Sequence, residues 1–206
     1  MVDSDPSLYL TAVGSDLVEE GRQAGRWLVG AVGGEECRVV ELQGTTGSSP
    51  AIDRKAGSEE AVAKASNIEI VRSQTGNFTR SEGKTVMESF LQAENGGQDI
   101  CALYAHNDDM AVGAIQAIKE AGLQPGTDIL VVSIDAVPDI FLALAEGEAN
   151  ATVELTPNMA GPAFDALEAY WADGTEPEKF IRTESRLHTQ EDDPMAVYES
   201  RKDLGY

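Results

Sequence analysis

Residues 104–123 read YAHNDDMAVGAIQAIKEAGL. An apolar run beginning at Ile100 ends in this stretch, and a polar cluster, Asn107, Asp108 and Asp109, follows it directly. Apolar residues then return at helical spacing as far as Gly122. The pattern predicts a buried strand over Ile100–Ala105 that hands over to a helix reaching Ala121. Asn107 or Asp108 is the expected cap and Gly122 the stop. Polar residues crowd the one point where strand meets helix, and that junction sets the question of function.

The same unit recurs outward in both directions. Strands are expected at Leu8–Val13, Arg38–Gln43, Ile68–Ser73, Ile129–Ile134 and Ala151–Leu155, with a short extended stretch near Phe180–Thr183. The intervening helices are capped by Asp16 or Ser15, by Ser49 with Pro50 at the first helical position, and by a Thr79–Glu82 capping box. Further helices are expected at Pro138–Glu146, Asn158–Ala172 and Pro194–Lys202. Repeated β-α units argue for an α/β fold, an open parallel sheet with helices on both faces. Such a sheet takes ligands at the carboxyl ends of its strands. Those ends read ELQGTTGSS, RSQTGNF, YAHNDD, SIDAVPD and VELTPN, polar at all five.

Composition narrows the function. The chain has 206 residues and a formal charge of -21, which disfavours nucleic acid and anionic lipid as partners. No apolar run reaches the roughly 18 residues that a membrane span needs. The start, MVDSDPSLYL, has neither a basic region nor an apolar core of a signal peptide. Leu8–Val13 reads instead as a strand from the middle of a fold, so a preceding segment is expected. Cys37 and Cys101 each open a β-type run. If those strands are neighbours a bridge is geometrically possible; two buried thiols are the alternative. His106 and His188 lie far apart in sequence, and no Cys/His cluster suggests zinc.

Residue types decide among the possible chemistries. GTTGSSPA lacks the spacing of a phosphate loop. No nucleophile sits beside a base, although Asp135 and Glu154 could form an acid/base pair acting on a sugar. Asn107, Asp108 and Asp109 offer oxygen ligands, but three consecutive residues at a helix start point in different directions. A helix cap is the simpler reading, and no metal or other cofactor is expected. A sugar grip fits best. Hydroxyls that donate and accept call for carboxylates, a guanidinium and an amide, and the ring face calls for an aromatic. Arg54, Asn107, Asp135, Glu154 and Phe78 supply that set at the strand ends. Asn107 is the expected sugar contact of the opening cluster, with Asp108 and Asp109 capping the helix.

ELQGTTGSSPAIDRKAG, RSQTGNFTRSEGKTVMESFL, the opening stretch and SIDAVPDIFLALAEGEANATVELTPNMAGPAFDAL resemble, in this order, the periplasmic sugar-binding proteins of the ribose/galactose type. They look most like its galactofuranose-binding branch. The resemblance implies a type I periplasmic-binding-protein fold, with two lobes closing on a monosaccharide delivered to the membrane permease of an ABC importer. It implies a periplasmic or extracellular location, a monomer and no enzymatic activity. It matches Arg54, Asn107 and Asp135 to polar sugar contacts, Phe78 to a stacking aromatic, Glu154 to a hinge position beside the ligand, and Cys37 with Cys101 to a bridging pair. Residues 1–14 and 156–183 would then belong to a remnant of one lobe with hinge strands, and 15–155 with 184–206 to a nearly complete sugar-binding lobe. One lobe leaves half a pocket, so weak binding is expected of this polypeptide. Ala136 stands where the family usually carries glycine. The effector domain of a LacI-type regulator shares the fold and is the alternative; a sugar-acting enzyme is the third reading.

Overall fold

The computed structural model describes residues 5–204. Six strands form one sheet in the order β3-β2-β4-β5-β6-β8. They are β2 (Cys37–Gln43), β3 (Ile68–Thr75), β4 (Ala102–Ala105), β5 (Leu130–Asp135), β6 (Ala151–Glu154) and β8 (Leu187–Thr189). The first five run parallel, and β8 pairs antiparallel with β6. A separate parallel pair joins β1 (Ala12–Gly14) to β7 (Phe180–Arg182). The chain therefore belongs to the α/β class that its alternation predicts.

Alternate strand residues feed opposite cores. Val40, Leu42, Leu103 and Val131 face α3 (Arg80–Ala93), α4 (Asp108–Glu120) and α5 (Pro138–Glu146). Val39, Tyr104, Val132 and Val153 face α1 (Leu17–Val32) and α2 (Ser49–Val62). The last two helices are α6 (Ala160–Asp173), beside the two-stranded sheet, and α7 (Pro194–Arg201), against α5.

Several local expectations are corrected. Leu8–Val13 is not one strand: Asp5 caps a 3-10 turn over Pro6–Leu8, and only Ala12–Gly14 is extended. The cap of α2 is Ser48, whose hydroxyl accepts from the Ala51 N–H; Ser49 is already helical. Thr79 caps α3, but the Glu82 carboxylate accepts from Asn77 Nδ2 (2.6 Å) instead of closing a capping box. The strand β8 was not expected, because three residues in a polar stretch carry too little periodicity to register.

The helix pairs pack at backbone distance. A Cβ on Gly21 of α1 would lie 2.0 Å from the Arg54 carbonyl oxygen, and one on Gly57 of α2 would lie 1.9 Å from the Val18 carbonyl. Glycine at these crossings lets α1 press on α2, which sets the depth of Arg54. Gly21→Ala should therefore cost about 2 kcal/mol or more, as overpacking does. Urea unfolding should show a lowered midpoint with an unchanged slope; an unmoved midpoint would refute the close crossing.

The Cys37–Cys101 pair is a disulfide with Cα atoms 5.4 Å apart. It joins the starts of neighbouring strands, with the Cys101 N–H donating to the Arg38 carbonyl (3.0 Å). The bridge that the family resemblance implied is thus present, on the edge of the sheet opposite the polar strand ends.

Candidate functional site: a polar cluster at the carboxyl edge of the sheet

Arg54 organises the site. It projects from α2 yet is only 3% exposed. Its Nε donates to Glu20 Oε2 (3.0 Å), its Nη1 to the His106 carbonyl (2.6 Å) and its Nη2 to Asp135 Oδ1 (2.8 Å). Three contacts on three sides hold the guanidinium plane, while two of its five N–H groups remain outside these bonds. Burial pushes the Asp135 carboxyl above its usual range, against the pull of Arg54 and of Asn107 beside it.

Asp135 reaches Arg54 because the backbone turns sharply at the end of β5. Asp135 has φ 128° and Ala136 φ 63°, two consecutive non-glycine residues in the positive-φ region. Strain of this kind persists only where neighbours over-determine it. Here the Leu155 N–H donates to the Asp135 carbonyl (3.3 Å), Arg201 Nη1 to the Ala136 carbonyl (3.3 Å), and the Val137 N–H to Asp108 Oδ2 (2.8 Å).

The opening cluster divides differently from expectation. Asn107, not Asp108, caps α4, its Oδ1 accepting from the Met110 N–H (3.0 Å). Its Nδ2 donates to the Phe78 carbonyl (3.3 Å). Asp108 is wholly buried and caps nothing. Besides Val137, it accepts from Ser133 Oγ (2.5 Å) and Thr152 Oγ1 (2.8 Å), joining α4 to β5, β6 and the start of α5. Burial raises its carboxyl to about 7, with the Asp135 charge adding to the effect. Asp109 is exposed enough to pair with Arg80 (2.6 Å). The physical reason for the correction is that the first helical residue following this strand turns back over the sheet, where Ser133 and Thr152 wait.

Phe78 closes the far side. It has φ 62°, is half-buried, and packs against the core of the α3–α5 face. Its ring lies on Gly44, where a Cβ would come within 1.8 Å of Cζ. Two strand-end loops thus meet at this ring. Glu154 adjoins the cluster by register, its Cα opposite that of Asp135. Its carboxylate turns to the other face, where it meets His188 Nε2 (2.7 Å) and accepts from Arg201 Nη2 (3.1 Å). Burial opposes ionisation of Glu154, and these two partners bring it below its usual range.

His106 is buried behind the site, where its Nδ1 accepts from the Gly44 N–H (3.3 Å). Its Nε2 then carries the proton toward Glu41 Oε1 (3.1 Å), a neutral tautomer that burial favours. Burial alone would raise Glu41, but His106, Lys55 and Ser73 outweigh it and hold the carboxylate at about 2. Among the described residues no group of three or more His, Cys, Asp or Glu could hold a metal ion. Among the described residues no helix is long and apolar enough to cross a membrane.

A cavity of about 530 Å³ is lined by the β1-β7 pair, the start of α1, Asp53, Leu155 and Met159; none of Arg54, Phe78, Asn107, Asp135 and Glu154 lines it. The cluster itself brings a carboxylate, a guanidinium and an amide together, groups that donate to and accept from hydroxyls. The family model described as a periplasmic binding protein domain matches residues 1–175. The chain belongs to the periplasmic binding protein family. Its type I fold follows from the same match and from solved neighbours. A crystal structure of a galactofuranose-binding protein superposes with TM-score 0.93 at 61% identity, covering 100% of this chain and 69% of that one. The arabinose-transporter binding protein of Shewanella sp. ANA-3, solved with α- and β-L-arabinofuranose, gives TM-score 0.91 at 53% identity, covering 99% and 66%. In sequence, this periplasmic binding protein is 62% identical to the galactofuranose-binding protein YtfQ of Escherichia coli K12, over 98% of this chain and 63% of that one. It is 37% identical to the ribose import binding protein RbsB of the same organism, over 72% and 48%. The chain thus spans under two thirds of the length of these curated relatives.

Sequence reasoning passed over Glu20, which is fully buried against Arg54. A signal was present: Glu20, Ala24 and Leu28 fall four residues apart, on the stripe α1 buries. The neighbouring Glu19 disguised it as an ordinary acidic first turn.

Proposed function

We propose that this chain supplies the sugar-contacting lobe of a solute-binding receptor for an ABC importer, gripping a monosaccharide such as galactofuranose. The observation that carries the reading is the convergence of Arg54, Asp135, Asn107 and Phe78, from four separate segments, on one end of the sheet. Asp135 accepts from sugar hydroxyls, the remaining N–H groups of Arg54 donate, and Asn107 and Phe78 bound the ring. Glu154 stands beside the ligand where the chain leaves β6, its carboxylate keeping His188 and Arg201 in place. The similarity to proteins named for galactofuranose and ribose binding, and to one solved with arabinofuranose, supports this ligand class. A membrane permease is the partner and the periplasm the location that the family membership favours. Residues 1–14 and 156–183 act as part of a second lobe with hinge segments, and 15–155 with 184–206 as the sugar-binding lobe. The separation of the β1-β7 pair from the six-stranded sheet supports that division.

One lobe solvates half of the ligand, so affinity should be weak, with Kd on the order of 1 mM (about -4 kcal/mol). Saturation-transfer NMR with galactose, whose solution includes furanose forms, should show saturable binding that Asn107→Ala weakens. No saturable transfer at tens of millimolar sugar would refute the reading. A micromolar Kd would show instead that a single lobe suffices.

A further inference from the structure

Arg54 sits between two carboxylates in a nearly dry environment. Glu20 takes its Nε, Asp135 takes one Nη, and the three side chains are 0%, 23% and 3% exposed for Glu20, Asp135 and Arg54. The His106 carbonyl adds a partial negative charge on the third side. An arginine in a ligand site is ordinarily an anchor for carboxylate or phosphate. Here its one positive charge faces two carboxyls before any ligand arrives; burial raises both while Arg54 pulls them down, and with both ionised the group is net negative. Glu20 Oε1 and Ser15 Oγ are both buried without a hydrogen bond of ordinary geometry, although the Ser15 hydroxyl stands near enough to favour the charged form of Glu20. A fold that needed only to neutralise Arg54 had Asp135 for that purpose.

We infer that Glu20 is a specificity-determining residue, cancelling the anion affinity of Arg54 so that the site takes uncharged sugars and rejects sugar acids and sugar phosphates. The inference rests on the sugar-binding reading above and extends it to the charge of the ligand. Glu20 acts through Arg54, whose Nε it holds. Its carboxylate lies behind the guanidinium, so a second anion in front meets the field of Glu20 and Asp135 together with Arg54. In a weakly screened site, unit charges several ångströms apart shift affinity by an order of magnitude or more.

The test compares galactose with galacturonate, which differ by one carboxylate, in saturation-transfer NMR competition on the full chain. The native protein should prefer galactose. Glu20→Gln keeps the shape and an acceptor for Arg54 Nε while removing the charge. It should move the galacturonate-to-galactose affinity ratio by about tenfold or more toward the acid. Glu20→Asp keeps the charge and should keep the preference, even where shorter reach lowers both affinities. Glu20→Met, apolar and of similar volume, replaces Glu20→Gln if the latter does not fold. A ratio unchanged in the uncharged variants, with galactose still bound, overturns the role of Glu20 alone. A native chain that binds neither sugar overturns the sugar-binding reading itself, and this one with it.

Discussion

Replacing Arg54 with alanine should destabilise the protein by about 3–5 kcal/mol and abolish sugar binding. Removing one partner of a buried ionic network leaves the others uncompensated, and that penalty exceeds the net worth of the contacts. Glu20 and Asp135 would both lose their guanidinium, and the His106 carbonyl its donor. In a domain of this size each 1 kcal/mol moves the melting temperature by about 2–4 °C, so a drop of about 10 °C is expected by calorimetry. The control separates electrostatics from packing. Arg54→Met alone should remain strongly destabilised, whereas Arg54→Met with Glu20→Gln should recover part of the loss, because the second change removes a stranded carboxylate. Binding should stay absent in both. An Arg54→Met melting temperature equal to that of the native chain would show that the network carries no weight.

Asp108→Ala should cost about 3 kcal/mol or more without touching the ligand directly. It strands the Val137 N–H and the hydroxyls of Ser133 and Thr152 in the core, at about 1–3 kcal/mol for each group left unsatisfied. It also frees the strained turn at Asp135 and Ala136, so sugar affinity should fall with stability. Asp108→Asn behaves differently. A flipped amide can accept from Val137 with its oxygen and donate to the two hydroxyls, which turn to accept. Its cost near pH 5 should stay below about 1 kcal/mol.

The sign of the pH dependence follows from the raised carboxyl. Asp108 titrates near 7 when folded and near 3.8 when unfolded, so between those values the folded state holds the extra proton. Stability is therefore lost as pH rises from about 4 through about 7, and Asp108→Asn should flatten that slope. Urea midpoints measured across the interval decide the matter; parallel slopes for native and variant proteins would place the titration elsewhere.

The two-lobed reading also gives meaning to an exposed surface. Phe164 and Trp171 on α6 stand out in solvent, and no residue of that helix is buried. A two-stranded sheet with one helix buries too little to be stable by itself. These residues fall in the segment assigned above to the second lobe.

Much of this molecule was legible without coordinates. The 3.6-residue spacing of Val86, Met87, Phe90 and Leu91 placed α3, and the span Pro138–Glu146 of α5 follows from the proline at its start and the glycine after its end. Alternation of such units entails the parallel sheet, and the parallel sheet entails a ligand edge. Asn107, Asp135 and Phe78 stood out because each ends or follows a strand, and Arg54 because it lies on the helix after the Gly/Ser loop; their role in binding is the proposal above. Local sequence determines these things, since caps, turns and periodicity act over a few residues. It did not determine which of three adjacent polar residues turned inward. Asn107 and Asp108 are both good helix starters, and the choice lies with Ser133, Thr152 and Val137, each 25 or more residues away. Nor did it determine that Glu20 would be buried against Arg54, because only the close α1–α2 crossing at Gly21 and Gly57 puts them together. Partners distant in sequence settle which carboxylates are charged, which are spare and which way each one points, and that is decided by packing alone.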